Sequence, residues 1–366
     1  MAGGARIHGA PLDVLAGRLF AIGGDGTALG LGDLISRSSP VQVGSGSDWR
    51  LDSREGRISA YGRRRKALFV WGYNNNSIGQ LGLGNGFSLS SPAQVGSFYD
   101  WDFVTAGAAQ TDSSAAGLRG GKLFTWGQGS NGQLGLDDIS PRSSPVQVGA
   151  DSDWTAISVG SVFMAGIRGG KLFTWGYNLQ GPLGLGDITP RSSPVQVGSD
   201  TDWTAIACGD DATLGIRGGK LFSWGANGAG ELGLGTVIRR SSPVQVGAAT
   251  NWSAVFAGDG SSFGLRDGAL YSWGLNNVGQ LGLGNITGRS SPVQVGAATD
   301  WSVISAGDDS ICGIRSGKLY VWGANNVGQL GLGDITKRSS PVQVGSATDW
   351  LSVAAGGQFS LGLRSP

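Results

Sequence analysis

Every tryptophan in the chain belongs to one of two interleaved series. The first runs Trp71, Trp126, Trp175, Trp224, Trp273 and Trp322, with Ile22 at the equivalent place near the start, in steps of 49, 55, 49, 49, 49 and 49 residues. The second runs Trp49, Trp101, Trp154, Trp203, Trp252, Trp301 and Trp350, each nine residues after the proline of an SSP triplet. Both series count seven copies of one unit. Lys171 to Arg217 shows that unit in full: KLFTWGYNLQGPLGLGDITPRSSPVQVGSDTDWTAIACGDDATLGIR.

Four short apolar runs lie within the unit: Leu172 to Trp175, Val195 to Val197, Trp203 to Ala207 and Thr213 to Arg217. Clusters of Gly, Asn, Asp, Ser and Pro separate them, supplying positive φ and local side-chain hydrogen bonds that favour turns over helix. Each copy therefore predicts four strands. A four-stranded unit on a period of roughly 40–50 residues is the pattern of a propeller blade, which buries its faces only against neighbouring blades. Two buried Trp per blade, each hiding roughly 150–250 Å², would supply much of that contact. The proline, Pro194 for instance, lacks a donor and is expected to start an edge strand. Arg217 and its equivalents Arg168, Arg266, Arg315 and Arg364 end the strand before each new copy. They are read either as covers for a Trp face or as solvated turn charges.

These counts predict an all-β, seven-bladed β-propeller spanning residues 18–366, preceded by a leader at 1–17. The chain ends at Arg364 to Pro366, where a KLFxWG strand would come next, and RLFAIGG follows the leader. Trp350 to Arg364 is thus expected to pair with Leu19 to Val43, so that N- and C-terminal strands close the ring in one blade.

Composition narrows the function classes. Lys plus Arg number 27 against 26 for Asp plus Glu, leaving no global field for nucleic acid or an anionic membrane. The first seventeen residues lack the apolar core of a classical signal peptide, and no run approaches the length of a membrane span. Two cysteines, Cys208 and Cys312, read as buried core thiols two blades apart, too far for a disulfide. A single histidine, His8, lies outside the repeats, so nucleophilic triads have no base there. No Cys/His cluster has zinc spacing. The expectation is a non-enzyme with no catalytic residue, metal or cofactor. Asp210, Asp259 and Asp308 recur at one turn and are read as turn caps, with an acidic arc round one mouth of the channel as the alternative.

Two copies break the pattern. Copy one departs between Trp49 and Lys66, where WRLDSREGRISAYGRRRK carries the densest charge in the chain. Copy two has two extra residues around Asn74 to Asn76 and four more between Ala108 and Ser114. Departures from symmetry in a repeat array map to loops, where recognition concentrates. The candidate partner-binding residues are therefore Arg57, Arg63, Arg64, Arg65, Lys66, Asn74, Asn75, Asn76, Phe98 and Tyr99.

The motif WGxNxxGQLGLGD at Trp322 to Asp334, followed by a proline-led strand and a VxAG-type strand such as Val303 to Gly307, resembles the regulator of chromosome condensation repeat family across residues 18–364. The resemblance implies a seven-bladed propeller. Its best-known member is a guanine-nucleotide exchange factor that also binds nucleosomes, and other members are scaffolds, inhibitors or ligase adaptors. Compact repeats of this type also occur in bacterial and phage genomes. Family repeats commonly carry a His shortly after the AG, where this chain reads GDDATLGIR, GDGSSFGLR and GDDSICGIR. The leading expectation is accordingly a structural or protein-binding propeller, a virion or tail component with other virion proteins as partners or a surface-exposed module, with no nucleotide exchange. The alternatives are an exchange factor or intracellular scaffold of that family, and a lectin-like propeller.

Overall fold

The computed structural model describes residues 16–24, 27–52, 58–107 and 113–366. These form seven four-stranded antiparallel sheets and no helix. In one complete blade the strands are Trp203–Cys208, Ala212–Arg217, Lys220–Gly225 and Arg240–Gln245, paired in sequence order. A blade thus runs from the second Trp of one copy to the SSP strand of the next. The first strands of successive blades pack on one another round the axis, and the SSP strands form the outer edge.

The closing blade combines both chain ends, as expected. Arg18–Gly23 pairs with Phe359–Arg364 through six residue pairs, from Arg18 opposite Arg364 to Gly23 opposite Phe359. Trp350–Ala355 and Arg37–Gln42 complete that sheet. Phe20 takes the place beside Trp350, ring centres 5.8 Å apart at 64°, and Asp349 accepts from Arg364 at 2.8 Å. Residues 1–15 of the leader, including His8, lie outside the described residues; Gly17 exchanges backbone hydrogen bonds with Trp49 at 2.9 and 3.1 Å.

The SSP strand begins earlier than its proline suggested. In Arg191–Gln196, Gly176 faces Arg191 while Thr174 faces Val195, so residues 192–194 bulge from the register. Pro194 falls in that interval, where its missing N–H leaves no ladder position unfilled. The sheet edge therefore starts three residues before the proline.

Two contacts recur at the blade boundaries. The third-strand tryptophan donates its indole N–H to a loop carbonyl of the preceding blade: Trp126 to Gln80 at 3.0 Å, Trp175 to Gln133 at 2.9 Å, Trp224 to Pro182 at 2.8 Å, Trp273 to Glu231 at 2.9 Å and Trp322 to Gln280 at 2.9 Å. Trp71 does the same to Ala28 of the closing blade at 2.7 Å. Gly184, at φ +68°, shows why the LGLG turn carries glycine: a β-carbon there would stand 2.6 Å from the Trp224 Nε1. Nearer the axis, at five boundaries among the described residues, the glycine that follows the first strand abuts the glycine carbonyl of the next blade. A β-carbon on Gly307 would lie 2.2 Å from the Gly356 oxygen, and one on Gly107 would lie 2.3 Å from the Gly160 oxygen. Backbone blocks growth there, so the AG doublet is a packing requirement.

Gly307→Ala is expected to destabilise the ring by about 1–3 kcal/mol through this collision. Gly228→Ala, where the added carbon meets nothing within 4 Å and φ is not positive, is expected to stay within about 0.5 kcal/mol. Urea denaturation of the two variants checks the difference.

Candidate functional site

Strand alternation gives the ring two unlike faces. First-to-second turns and third-to-fourth loops emerge on one face; second-to-third turns and the linkers to the next blade emerge on the other. The candidate residues divide between them. Asn74, Asn75 and Asn76 sit in a third-to-fourth loop, whereas Arg64, Arg65, Lys66, Phe98 and Tyr99 lie on the opposite face. Copies one and two therefore do not present these residues as one continuous surface. Arg57 and residues 108–112 of the second insertion fall outside the described residues.

Two candidates prove to be internal. Arg63 is 3% exposed and forms a fork-to-fork pair with Asp52, itself buried. The Arg63 Nη1 also donates to the Trp101 carbonyl at 2.8 Å, and Asp52 accepts from the Val104 N–H at 3.1 Å. The pair thus ties the diverged blade to its neighbour, and it accounts for part of the charge density that suggested a surface. Asn74 is likewise buried: its Nδ2 donates to the Asn85 and Phe87 carbonyls at 2.9 and 3.3 Å, and its Oδ1 accepts from Leu81. Asn178, Asn227, Asn276 and Asn325 organise their loops in the same way. Asn75 is half-buried, with its N–H on Gln80 and its Oδ1 capping Ser77, which leaves Asn76 as the exposed member.

Arg64 is the repeat arginine of its blade. It stands 5.2 Å from the Trp49 ring centre and pairs with Asp48 at 2.7 Å, much as Arg217 stands over Trp203 and Phe222 while pairing with Asp200. For these arginines the Trp-cover reading holds and the solvated-turn reading does not: each ends a strand and lies over aromatic rings. Arg65 and Lys66 differ. Each has an ion pair, Arg65 with Asp48 at 3.0 Å and Lys66 with Asp102 at 3.4 Å, but their side chains are 84% and 62% exposed, and their φ angles are +48° and +64°. The corresponding turn is Gly120–Gly121, Gly169–Gly170 or Gly218–Gly219 in three blades and Asp267–Gly268 or Ser316–Gly317 in two, where the first residue is left-handed at +50° or +49° but the second stays glycine. Two basic side chains are thus carried on left-handed backbone, at a cost of roughly 1–2 kcal/mol per residue relative to glycine.

Beside this turn lies a cleft of about 580 Å³ lined by Leu83, Phe98, Trp101, Arg119, Lys122 and Phe124, among others. Phe98 occupies the position that is Asp151 or Asp200 in the next two blades. Arg119 therefore lies against a ring, 3.7 Å from the Phe98 centre, and keeps Asp100 at 2.9 Å as its ion pair. Tyr99 is 62% exposed at the rim. The Trp101 N–H donates to the Lys66 carbonyl at 3.1 Å, which fixes the basic turn beside the cleft. The arrangement offers aromatic surface flanked by positive charge.

On the other face the acidic turns meet at the channel mouth. Asp210, Asp259 and Asp308 follow the packed glycines of three adjacent blades, forming an arc. Ser161 donates to Asp210 at 2.7 Å, and the Asp259 N–H reaches the Asp308 carbonyl at 3.3 Å. The Asp259 carboxyl is pushed up to about 7, first by burial, then by the charge of Asp210, a shared hydrogen bond with Asp210, and the charges of Asp308 and Asp309. Asp211 is also raised, by burial and then by Asp210 and Glu231. Among the described residues no three such groups converge in metal-binding geometry. One feature the strand-run reading missed is an exposed apolar side chain in each third-to-fourth loop: Ile35, Phe87, Ile139, Ile188, Ile238, Ile286 and Ile335. Their recurrence five or six residues before the proline of each SSP triplet was the available signal.

The geometry defines a seven-bladed propeller with two asymmetric surface features and no assembled catalytic constellation among the described residues. The profile of the RCC1-like domain matches residues 19–362, and the chain belongs to that family. It is similar to human probable E3 ubiquitin-protein ligase HERC3, 43% identical over 82 residues, or 22% of this chain and 8% of that protein. It is also similar to the mouse X-linked retinitis pigmentosa GTPase regulator, 32% identical over 133 residues, or 34% of this chain and 13% of that one. The aligned segments are thus small parts of those relatives. Among solved structures, Prp20p of Saccharomyces cerevisiae, described with its binding to Gsp1p and histones, superposes with TM-score 0.81 at 22% identity, covering 97% of this chain and 93% of that one. Human WBSCR16 gives 0.80 at 21%, covering 96% and 99%.

Asp52→Leu alone is expected to cost about 3–5 kcal/mol by stranding the Arg63 charge, and the Asp52→Leu/Arg63→Met pair is expected to recover most of it. Denaturant midpoints of the single and double variants measure this. For Asp259 the folded carboxyl binds its proton more tightly than the unfolded one, so its stabilising contribution is complete below about pH 4 and disappears as pH rises to about 7. Asp259→Asn should melt higher than the parent at pH 8, with the difference shrinking towards pH 4, as calorimetry across that range would show.

Proposed function

We propose that this chain is a non-catalytic, protein-binding propeller, a scaffold or regulator of the RCC1 type. Its partner docks on the face carrying Arg65, Lys66, Phe98 and Tyr99. The observation that carries the reading is the pair of exposed basic residues on left-handed backbone beside an aromatic cleft, where five other blades keep a glycine in the turn. Strain of this kind persists where a function requires it. Membership of the RCC1-like family supports protein binding as the activity, and the sole histidine at position 8 argues against acid–base chemistry in the repeats. A virion or tail role gains no support from the relatives, so the family scaffold is the better reading.

A second reading, control of a small GTPase, is favoured by the similarity to the GTPase regulator. Acceleration of labelled GDP release from a co-purified GTPase would establish it.

Arg65→Gly/Lys66→Gly is expected to raise the midpoint of unfolding, since glycine relieves the left-handed turn, while weakening partner capture at least about tenfold. Phe98→Ala/Tyr99→Ala should weaken capture comparably without raising stability. Affinity purification with the endogenous partner, quantified for each variant, checks both. Capture undiminished in the stabilised double-glycine variant would contradict the proposed face.

A further inference from the structure

Blade four departs from its neighbours where its third-to-fourth loop meets the channel mouth. Glu231 stands where four other copies have glutamine, at Gln80, Gln133, Gln280 and Gln329, and where the preceding copy has Pro182. In the following blade that glutamine, Gln280, uses its Nε2 to donate to Asp309 at 2.9 Å, partly satisfying an acid of the next turn. Glu231 has no such hydrogen to give. Its Oε2 accepts from the Ala229 N–H at 2.8 Å, as the Gln280 oxygen accepts from Val278, and a further negative charge joins Asp210, Asp211 and Asp259. These four carboxyls line one cavity of about 200 Å³. Among the described residues no lysine or arginine is ion-paired with any of them.

The cavity holds a second, independent feature. Ser261, 1% exposed, also lines it, and its Oγ has no hydrogen-bond partner. That oxygen lies 2.7 Å from where a β-carbon of Gly258, another residue of the cavity lining, would stand. A buried hydroxyl without a partner forfeits roughly 1–3 kcal/mol of hydrogen bonding unless a ligand supplies it. The site therefore presents unneutralised acceptors at several points and one further polar atom in need of a partner.

We propose that this cavity receives a lysine or arginine side chain from a basic segment of a protein partner, on the face opposite the Phe98 cleft. A divalent cation fits less well. Calcium or magnesium draws several oxygens to within about 2.0–2.6 Å of one point, and no such convergence exists among the described acids. A guanidinium spreads five donors over a plane, and an ammonium carries three on a flexible stem, so either can bridge acceptors set apart round a cavity wall. The bound cation offsets the repulsion among Asp210, Asp211, Glu231 and Asp259, and it gives the Ser261 oxygen a donor.

The test uses the full chain and a fluorescein-labelled, end-blocked hexa-arginine peptide, read by fluorescence anisotropy at pH 8 and near-physiological salt. Asp210→Asn/Asp259→Asn should weaken binding at least about tenfold, and Glu231→Gln about threefold. Asp153→Asn/Asp267→Asn, an equal charge change on the opposite face, should leave affinity within about twofold. Removing clustered charge lowers repulsion in the folded state, so the first variant should melt no lower than the parent. Equal weakening by both double variants would reduce the effect to net charge and overturn the proposal. So would the absence of saturable binding to the parent, or calcium alone displacing the peptide at micromolar concentration. The Phe98→Ala/Tyr99→Ala protein should bind this peptide normally, which separates failure here from failure of the opposite face.

Discussion

The ring holds together through what each blade leaves unfinished. A four-stranded sheet of this sequence has a Trp N–H with no acceptor in its own blade, and the neighbouring loop supplies the carbonyl across the boundary at 2.7–3.0 Å. Such a bond contributes only about 1 kcal/mol net, but an unmet buried donor costs more, so each blade depends on the next one. Nearer the axis, glycine against glycine carbonyl brings the first strands closer than any side chain permits. The boundary before the closing blade is the exception. Ile22 replaces the indole there, and the Ser360 hydroxyl donates to the Gln329 carbonyl across that boundary at 3.3 Å, while the pairing of Arg18–Gly23 with Phe359–Arg364 holds the closing blade itself together. One boundary thus lacks the indole lock, and it adjoins the blade where the chain closes on itself.

Much of this was legible because the repeat is nearly invariant. Period, tryptophan spacing and the SSP triplet specify blade number and strand count, and the missing half-copies at the two ends specify the closure. Strand starts were less legible, since Pro194 marks a bulge and not the first edge residue. The binding residues were legible only as departures from symmetry. Sequence shows that Arg63 and Asn74 belong to irregular stretches, but not which way their side chains turn. Arg63 turns inward because Asp52 of the same diverged stretch is placed to meet it; Asn74 does so because its loop needs three backbone groups satisfied. Antiparallel alternation, not distance along the chain, put Asn76 and Lys66 on opposite faces. Glu231 was visible as a substitution, yet its meaning needed the neighbouring turn acids.

Function follows from where a uniform ring stops being uniform. Blades that share packing residues have equivalent surfaces, so the proposed partner sites are placed where symmetry is broken. The two breaks have opposite character. One face carries exposed basic and aromatic side chains around Arg119 and Phe98; the other gathers carboxyls at the channel mouth, where burial and neighbouring acids push the Asp259 carboxyl up to about 7. A chain of net charge +1 can hold both because many of its arginines are paired with aspartates, and Arg64, Arg119, Arg168, Arg217, Arg315 and Arg364 stack on aromatic rings as well.

The dependence of each blade on the next is tested most directly by hydrogen exchange of the indole N–H groups in protein labelled with ¹⁵N-tryptophan. The account predicts that Trp71, Trp126, Trp175, Trp224, Trp273 and Trp322 exchange slowly and together, at the rate of global opening. Trp101, Trp154, Trp203, Trp252, Trp301 and Trp350, whose indole nitrogens have no acceptor, should exchange faster. Blade-by-blade exchange of the first set, or equal protection of both sets, would contradict it.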